Sequence, residues 1–226
     1  MSNELDPLQS AENEFLFQVP TQEDSIGPIA NDIVQLAALG SRLSQEERAL
    51  LSHPDGRPEN VAEHANMLTR IAPIIAERHY PKLNPGLVSI YATIHDDVEA
   101  YIGDTPTYRI TESGLKQKDE LEQIGLDQLK LEYAGIPEYV AYVEDYEAQE
   151  IPEARFVRLL DKMMPLAFRF YQGDGQDLNK EWTEEEFKIS SAQRSARLKD
   201  MFPEYTDLVA VRDELAALAL QKFYNQ

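Results

Sequence analysis

Four side chains in this sequence are of the kinds that hold divalent metal ions: His64, the adjacent pair His95-Asp96, and Asp161. The chain has no cysteine, so thiolate sites are excluded and a metal must be held by imidazole and carboxylate. Two imidazoles and two carboxylates make a reasonable set for one divalent ion such as Mn, Co, Zn or Fe, with Mg less suited. Adjacent helical residues point about 100° apart, so His95 and Asp96 converge on one ion only if it sits between their two directions. Such an ion needs further ligands from other helices, and His64 and Asp161 are the natural suppliers. Glu99, four residues after His95 and three after Asp96, stands over the same helix face as an acid or base. Asp104, just beyond, is placed to contact a sugar hydroxyl or assist proton transfer.

Each of these residues has an ordinary explanation when taken singly. A histidine on an apolar helix face is more often a core residue than a ligand, and His53 and His79, in loops, are read that way. Asp161 could pair with Arg158, three residues before it. Its other neighbours on the helix, Val157, Met164 and Pro165, point it instead toward an apolar face, where an unpaired carboxylate is costly.

The elements that must position these residues are helical. Ile33, Leu36 and Ala37 share a face of a first helix, and Ser44 with Glu47 predicts the cap of a second, short one. Asn60 and Glu63 form a cap pair that opens a helix carrying Val61, His64, Met67, Leu68 and Ile71 at 3.6-residue spacing. Asn84-Pro85 starts the next, which the pattern runs unbroken to Gly103 with His95 and Asp96 inside it. Amphipathic helices follow over 115–133 and 137–149. Another starts at Pro152, has Asp161 in its middle and is bent by Pro165. Closing helices are expected over 183–200 and 205–223. With no convincing strand run or repeat, the fold class is all-α: a loose polar arm over 1–27, a motif-bearing core over about 30–175, and C-terminal helices over 176–226.

Bulk properties limit the function. A length of 226 residues suits one domain, and 42% hydrophobic content is enough for a packed core. The 41 acidic against 21 basic residues give a net charge of −20, which repels polymeric nucleic acid but leaves a small phosphate ester open, since a bound cation reverses the local field. The N-terminus lacks a basic start and an apolar run, and no stretch approaches 18 apolar residues, so a cytoplasmic protein without membrane contact is expected.

The segments RPENVAEH (57–64), IHDDVEAYIGDTPT (94–107) and RLLDKM around Asp161 resemble the HD-domain metal-dependent phosphohydrolases, with the pattern H…HD…D. Within that superfamily the likeness points to the bacterial 5′-deoxynucleotidase subgroup, in which the HD pair is followed by E and then GD-x-PT, here Glu99 and Gly103-Asp104-Thr105-Pro106-Thr107. The resemblance implies an all-helical HD bundle binding one divalent cation through His64, His95, Asp96 and Asp161. It further implies Glu99 as catalytic acid or base, the Asp104–Thr107 loop at the sugar, release of phosphate from deoxynucleoside 5′-monophosphates, and a homodimer. Two departures stand out. The subgroup's Arg-Trp pair upstream of the first histidine is absent, the only tryptophan being Trp182, so Arg42, Arg48 and Arg57 are alternative phosphate-orienting residues. Asp97 also occupies a position that is usually small and neutral.

A rival substrate within the same chemistry is a deoxynucleoside triphosphate, an alarmone or a modified nucleotide. It would need more cations than the motif region supplies; Lys82, Arg109, Arg155 and Arg158 are the nearby ones. A catalytically idle HD interaction module would be expected to lack a ligand, and here all four are present with Glu99.

Overall fold

The computed structural model describes residues 27–53, 55–104, 112–172 and 183–224. The polar arm before residue 27, Thr107, Arg109 and Trp182 lie outside them. Apart from one small hairpin the described chain is helical.

Helix α1 (Pro28–Leu43) is followed by an antiparallel pair, β1 (Glu47–Ser52) and β2 (Pro58–Asn60), in register at Glu47–Asn60 and Ser52–Pro58. This hairpin corrects the expectation of a short helix capped by Ser44 and Glu47. The Ser44 hydroxyl donates instead to the Ser41 carbonyl 2.7 Å away, closing the end of α1, and Glu47 opens the strand. Gly56, at φ 86°, supplies the left-handed residue that the turn back to β2 requires.

Helix α2 (Val61–His79) begins where expected. The Asn60 side chain accepts from the Glu63 backbone N–H at 2.9 Å while the Glu63 carboxylate accepts from the Asn60 N–H at 3.1 Å. Its buried face, Val61, His64, Ala65, Leu68, Ala72 and Ala76, lies along α3 (Pro85–Ile94), the most extensive helix pairing in the molecule. Val61, Leu68, Ala72, Val88 and Tyr91 are fully excluded from water in that seam. Each buried side chain of Leu size contributes about 1.5–3 kcal/mol relative to exposure, so His64 is carried on a firmly fixed helix.

Two helices are shorter than the pattern predicts, and both breaks fall at candidate site residues. Helix α3 stops at Ile94. Residues 95–98 form a tight turn in which the Asp97 N–H reaches the Ile94 carbonyl at 3.0 Å and the Glu99 N–H reaches that of Asp96 at 2.9 Å; the one-turn α4 (Glu99–Ile102) follows. Gly103, at φ 71°, terminates it. After α5 (Glu112–Glu132) and α6 (Pro137–Ala148), α7 (Pro152–Asp161) ends at Asp161 itself rather than carrying it mid-helix. The cause is Pro165: it has no N–H for the Asp161 carbonyl, so the helix cannot continue through it. The chain turns at Lys162-Met163 and restarts as α8 (Met164–Gln172).

Helix α3 also packs on α6 and α7, completing the main core around the site. Helices α9 (Glu184–Met201) and α10 (Thr206–Phe223) pair with each other, and Phe187, Ala216, Ala219 and Phe223 form a second, smaller core with Leu166 of α8. Among the described residues no helix is long and apolar enough to cross a membrane.

Candidate active site

The end of α7, the buried face of α2 and the turn after α3 meet at one point. His64 Nε2 lies 2.9 Å from Asp161 Oδ1 and 3.7 Å from Asp96 Oδ2; His95 Nε2 lies 3.0 Å from Asp96 Oδ2 and 3.8 Å from Asp161 Oδ1. His64, His95 and Asp96 each offer a ligand atom within 4.8 Å of the others, and Asp161 Oδ1 joins them through its approach to the two histidine nitrogens. The histidine side chains are 1% exposed and the aspartates 16% and 23%, so the cluster is walled by the imidazoles and opens on the carboxylate side.

The local chemistry of these groups suits a divalent ion. His95 Nδ1 is 3.1 Å from the Ala92 carbonyl, a bond that fixes the ring proton on Nδ1 and leaves Nε2 as a lone pair. That Nε2 is buried, and Asp96 Oδ2, although close, is not aligned with it for a hydrogen bond. Burial opposes protonation of His95, but the charges of Asp96 and Asp161 outweigh it and raise its pKa. Burial likewise opposes ionisation of both aspartates; His95 and His64 overcome it and hold Asp96 and Asp161 below the usual carboxylate range. The cluster therefore keeps its acids ionised and draws positive charge. Tyr146, edge-on to the His95 ring at 6.3 Å, closes the wall behind it, backed by Arg158, which lies over Tyr146 and donates to Glu147 at 2.9 Å.

Glu99 lies at the start of α4 with its Oε2 buried and unpartnered. Burial, and then the charges of Asp96 and Asp104, push its carboxyl up to about 10. Asp104 sits at the edge of the described chain, near enough for its charge to act on Glu99 and Arg48.

Of the three alternative arginines, the structure brings Arg48 to the cluster. It projects from β1 with Nη1 3.1 Å from Asp96 Oδ2. Arg42 is committed to Glu132, at 2.6 Å, and to the Tyr133 hydroxyl, while Arg57 forks onto Glu63 at 2.7 and 2.9 Å. Lys82 is exposed, and Arg155 is engaged with Glu204. Three charged groups at the site were not picked out from the sequence. Glu59 is fully buried on β2; Lys162 is close enough to feel Asp161, and Lys118 of α5 close enough to feel Glu99 and Asp96. Lys162 had a signal in its place directly after Asp161. Glu59 had only its place before the cap of α2, and an inward strand direction was needed to use it.

The HD-domain family model matches residues 41–204, well over half the chain. The chain belongs to the HD-domain family. All the residues of the cluster, and Glu99, fall inside the matched span. No curated protein matched the sequence. Among solved structures, a predicted metal-dependent phosphohydrolase from Magnetospirillum magnetotacticum MS-1 is similar over 86% of this chain and 96% of its own, with 25% identity and a TM-score of 0.64. A conserved hypothetical protein from Pyrococcus furiosus shares the fold over 80% of this chain and 98% of its own, at 23% identity and a TM-score of 0.55.

Proposed function

We propose that this chain is a metal-dependent phosphohydrolase that removes the phosphate from deoxynucleoside 5′-monophosphates. The observation that carries the reading is the grouping of His64, His95 and Asp96, with Asp161 Oδ1 within 3.8 Å of both histidine nitrogens and Arg48 Nη1 on Asp96. These four residues would hold one divalent cation, of the Mn, Co, Zn or Fe kind. When bound, such an ion polarises a phosphoryl oxygen and acidifies water. The chain's own groups supply the rest.

Arg48 offers a guanidinium to the phosphate oxygens, its Nη1 shared with Asp96 and its fork suited to two oxygens at once. Glu99, held protonated by burial and by Asp96, serves as an acid toward the leaving oxygen. With a cation held beside Asp96, part of the cause of that upward push would be removed. Asp104 takes a sugar hydroxyl, and Thr107, of the same loop, is assigned beside it from the sequence resemblance.

Among the described residues one guanidinium, that of Arg48, is in hydrogen-bond reach of the cluster, which suits one phosphate and favours a monophosphate. A specific observation favours the rival substrate with more phosphates: Lys162 and Lys118 add positive charge beside Asp161 and Glu99. Metal-stripped protein, re-supplied with Mn, Co, Zn or Mg and presented with a panel of nucleoside mono-, di- and triphosphates, distinguishes the two. Orthophosphate from monophosphates supports the first reading. Pyrophosphate or triphosphate release replaces it with the second, and no product from any combination refutes both.

A further inference from the structure

Glu59 is the one acid in the main core with no exposed surface, and neither of its carboxylate oxygens has a hydrogen-bond partner among the described residues. An isolated buried carboxylate costs several kcal/mol, so its neighbours matter. Two other buried polar atoms are also unpartnered and suit it as donors: Arg48 Nε, 3.5 Å from Glu59 Oε2, and Nδ1 of His64, a residue near enough for its charge to act on Glu59. His64 and Arg48 are the charges that act most strongly on Glu59.

The far ends of the same two side chains reach the metal-type cluster. His64 presents Nε2 to Asp161 and Asp96; Arg48 presents Nη1 to Asp96. A His64 that uses Nε2 as a lone pair must carry its ring proton on Nδ1, which then needs an acceptor.

We infer that Glu59 is a positioning residue that braces the cation-holding histidine and the phosphate-holding arginine together, one carboxylate oxygen accepting from His64 Nδ1–H and the other from Arg48 Nε–H. The inference rests on the phosphohydrolase reading given above. It couples two functions through one side chain. Loss of the carboxylate loosens the His64 ring, which weakens cation binding, and frees the Arg48 guanidinium to fold fully onto Asp96, which weakens phosphate binding. A merely structural Glu59 would do neither.

The test is Glu59→Gln, which keeps the shape and removes the charge. Zn affinity is measured by calorimetry on stripped protein, and inorganic phosphate is used as the probe of the Arg48 side through its inhibition constant. The expected result is a Zn Kd weaker by roughly 10–100-fold, the usual consequence of losing a carboxylate behind a metal-bound histidine, with a several-fold weaker phosphate constant. A Zn Kd within twofold of the parent overturns the inference while leaving the phosphohydrolase reading intact. A parent that binds no Zn and releases no phosphate overturns both. If the variant does not fold, ring-15N histidine spectra of the Zn-loaded parent decide instead: a His64 Nδ1 proton shifted far downfield, as in a hydrogen bond to a carboxylate, supports the brace, and one at the position of an unbonded imidazole N–H overturns it.

Discussion

Replacing Glu99 by Gln tests the proton chemistry most directly, because the structure makes a signed claim about it. In the cation-free site burial, Asp96 and Asp104 push this carboxyl up to about 10. At pH 7 a group with that pKa is ionised in about one molecule in a thousand, so a route needing Glu99 as a base starts three decades down, whereas a route needing an acid loses nothing. A bound dication narrows the gap but does not reverse its direction unless it lowers the pKa below the assay pH. General acid help is worth about 10²–10⁴ in rate, so Glu99→Gln should lower kcat by that factor on a nucleoside monophosphate. Zn affinity should stay within a few-fold, because Glu99 is outside the four-residue cluster. The parent should also lose kcat/KM as the pH rises through the Glu99 pKa, and the variant should lack that limb. The assay is phosphate release across pH 5–10, run in parallel on a nucleotide and on nitrophenyl phosphate. Nitrophenolate leaves as a stable anion and needs little protonation, so the defect should shrink sharply on that substrate. Normal turnover by the variant refutes any role for Glu99. An equal defect on both substrates refutes the acid role in favour of action on the attacking water.

Four further outcomes follow from the same geometry. Asp161→Asn removes a member of the cluster and should weaken Zn binding at least as much as the roughly 10–100-fold expected for losing a supporting residue, with turnover abolished; retained stoichiometric Zn would exclude Asp161 as a ligand. Arg48→Ala should raise KM about 10–100-fold, the equivalent of losing a charge-assisted hydrogen bond of about 1.5–3 kcal/mol, while Arg57→Ala, whose guanidinium is spent on Glu63 and the Pro58 carbonyl, should leave KM within twofold. Asp97 is buried and accepts from the Tyr139 hydroxyl at 2.7 Å, and burial raises its pKa to about 7, so its stabilising contribution is full below pH 3.8 and is lost as the pH rises through 7; the urea midpoint of the metal-free parent should fall relative to Asp97→Asn between those limits, by at most roughly 4 kcal/mol, and parallel curves would contradict this. A Cβ at Gly125 of α5 would lie 2.8 Å from Val98 Cγ1 and 3.0 Å from Ile102 Cγ2, so Gly125→Ala should cost about 1–3 kcal/mol in thermal unfolding and lower kcat by displacing α4 and Glu99, far from any ligand.

Much of this arrangement can be read from the sequence, and the parts that cannot have identifiable physical reasons. The Asn60–Glu63 cap and the apolar stripe of α2 are local signals, so the helix that carries His64 is legible in full. The turn after Ile94 is not, because HDDVEAYI contains neither proline nor glycine and is as helical in pattern as what precedes it. Its tight geometry is set by tertiary partners, among them Tyr139 holding Asp97 and α5 packing on α4. At Asp161 the signal was present but misjudged: Pro165 does more than bend the helix, since its missing N–H falls opposite the Asp161 carbonyl and ends α7 there. The hairpin was hidden for another reason. Two strands of six and three residues carry too little alternation to stand out, and the charges of Glu47 and Arg48 look like a helix surface until β2 turns Arg48 inward. Choosing Arg48 over Arg42 and Arg57 therefore needed coordinates.

The site also explains how a chain of net charge −20 can act on a phosphate. Asp96 and Asp161 each raise the cost of ionising the other, and both remain ionised only because His95 and His64 stand between them. In the cation-free chain Asp96 and Asp161 raise the pKa of His95, and Arg48 rests its Nη1 on Asp96. A divalent ion held by His64, His95, Asp96 and Asp161 would supply that balancing charge instead. His95, whose pKa the two acids raise, would need its Nε2 free of a proton to act as a ligand, so cation uptake should strengthen as pH rises. Arg48, no longer needed by Asp96, would then be available for the phosphate the proposed reaction requires. The acids thus set an order in which the cation precedes the phosphate, and phosphate affinity measured on the stripped protein should be weaker than on the loaded one at the same ionic strength. Equal affinity in the two states would show that Arg48 is not restrained by Asp96, and the proposed order would fall with it.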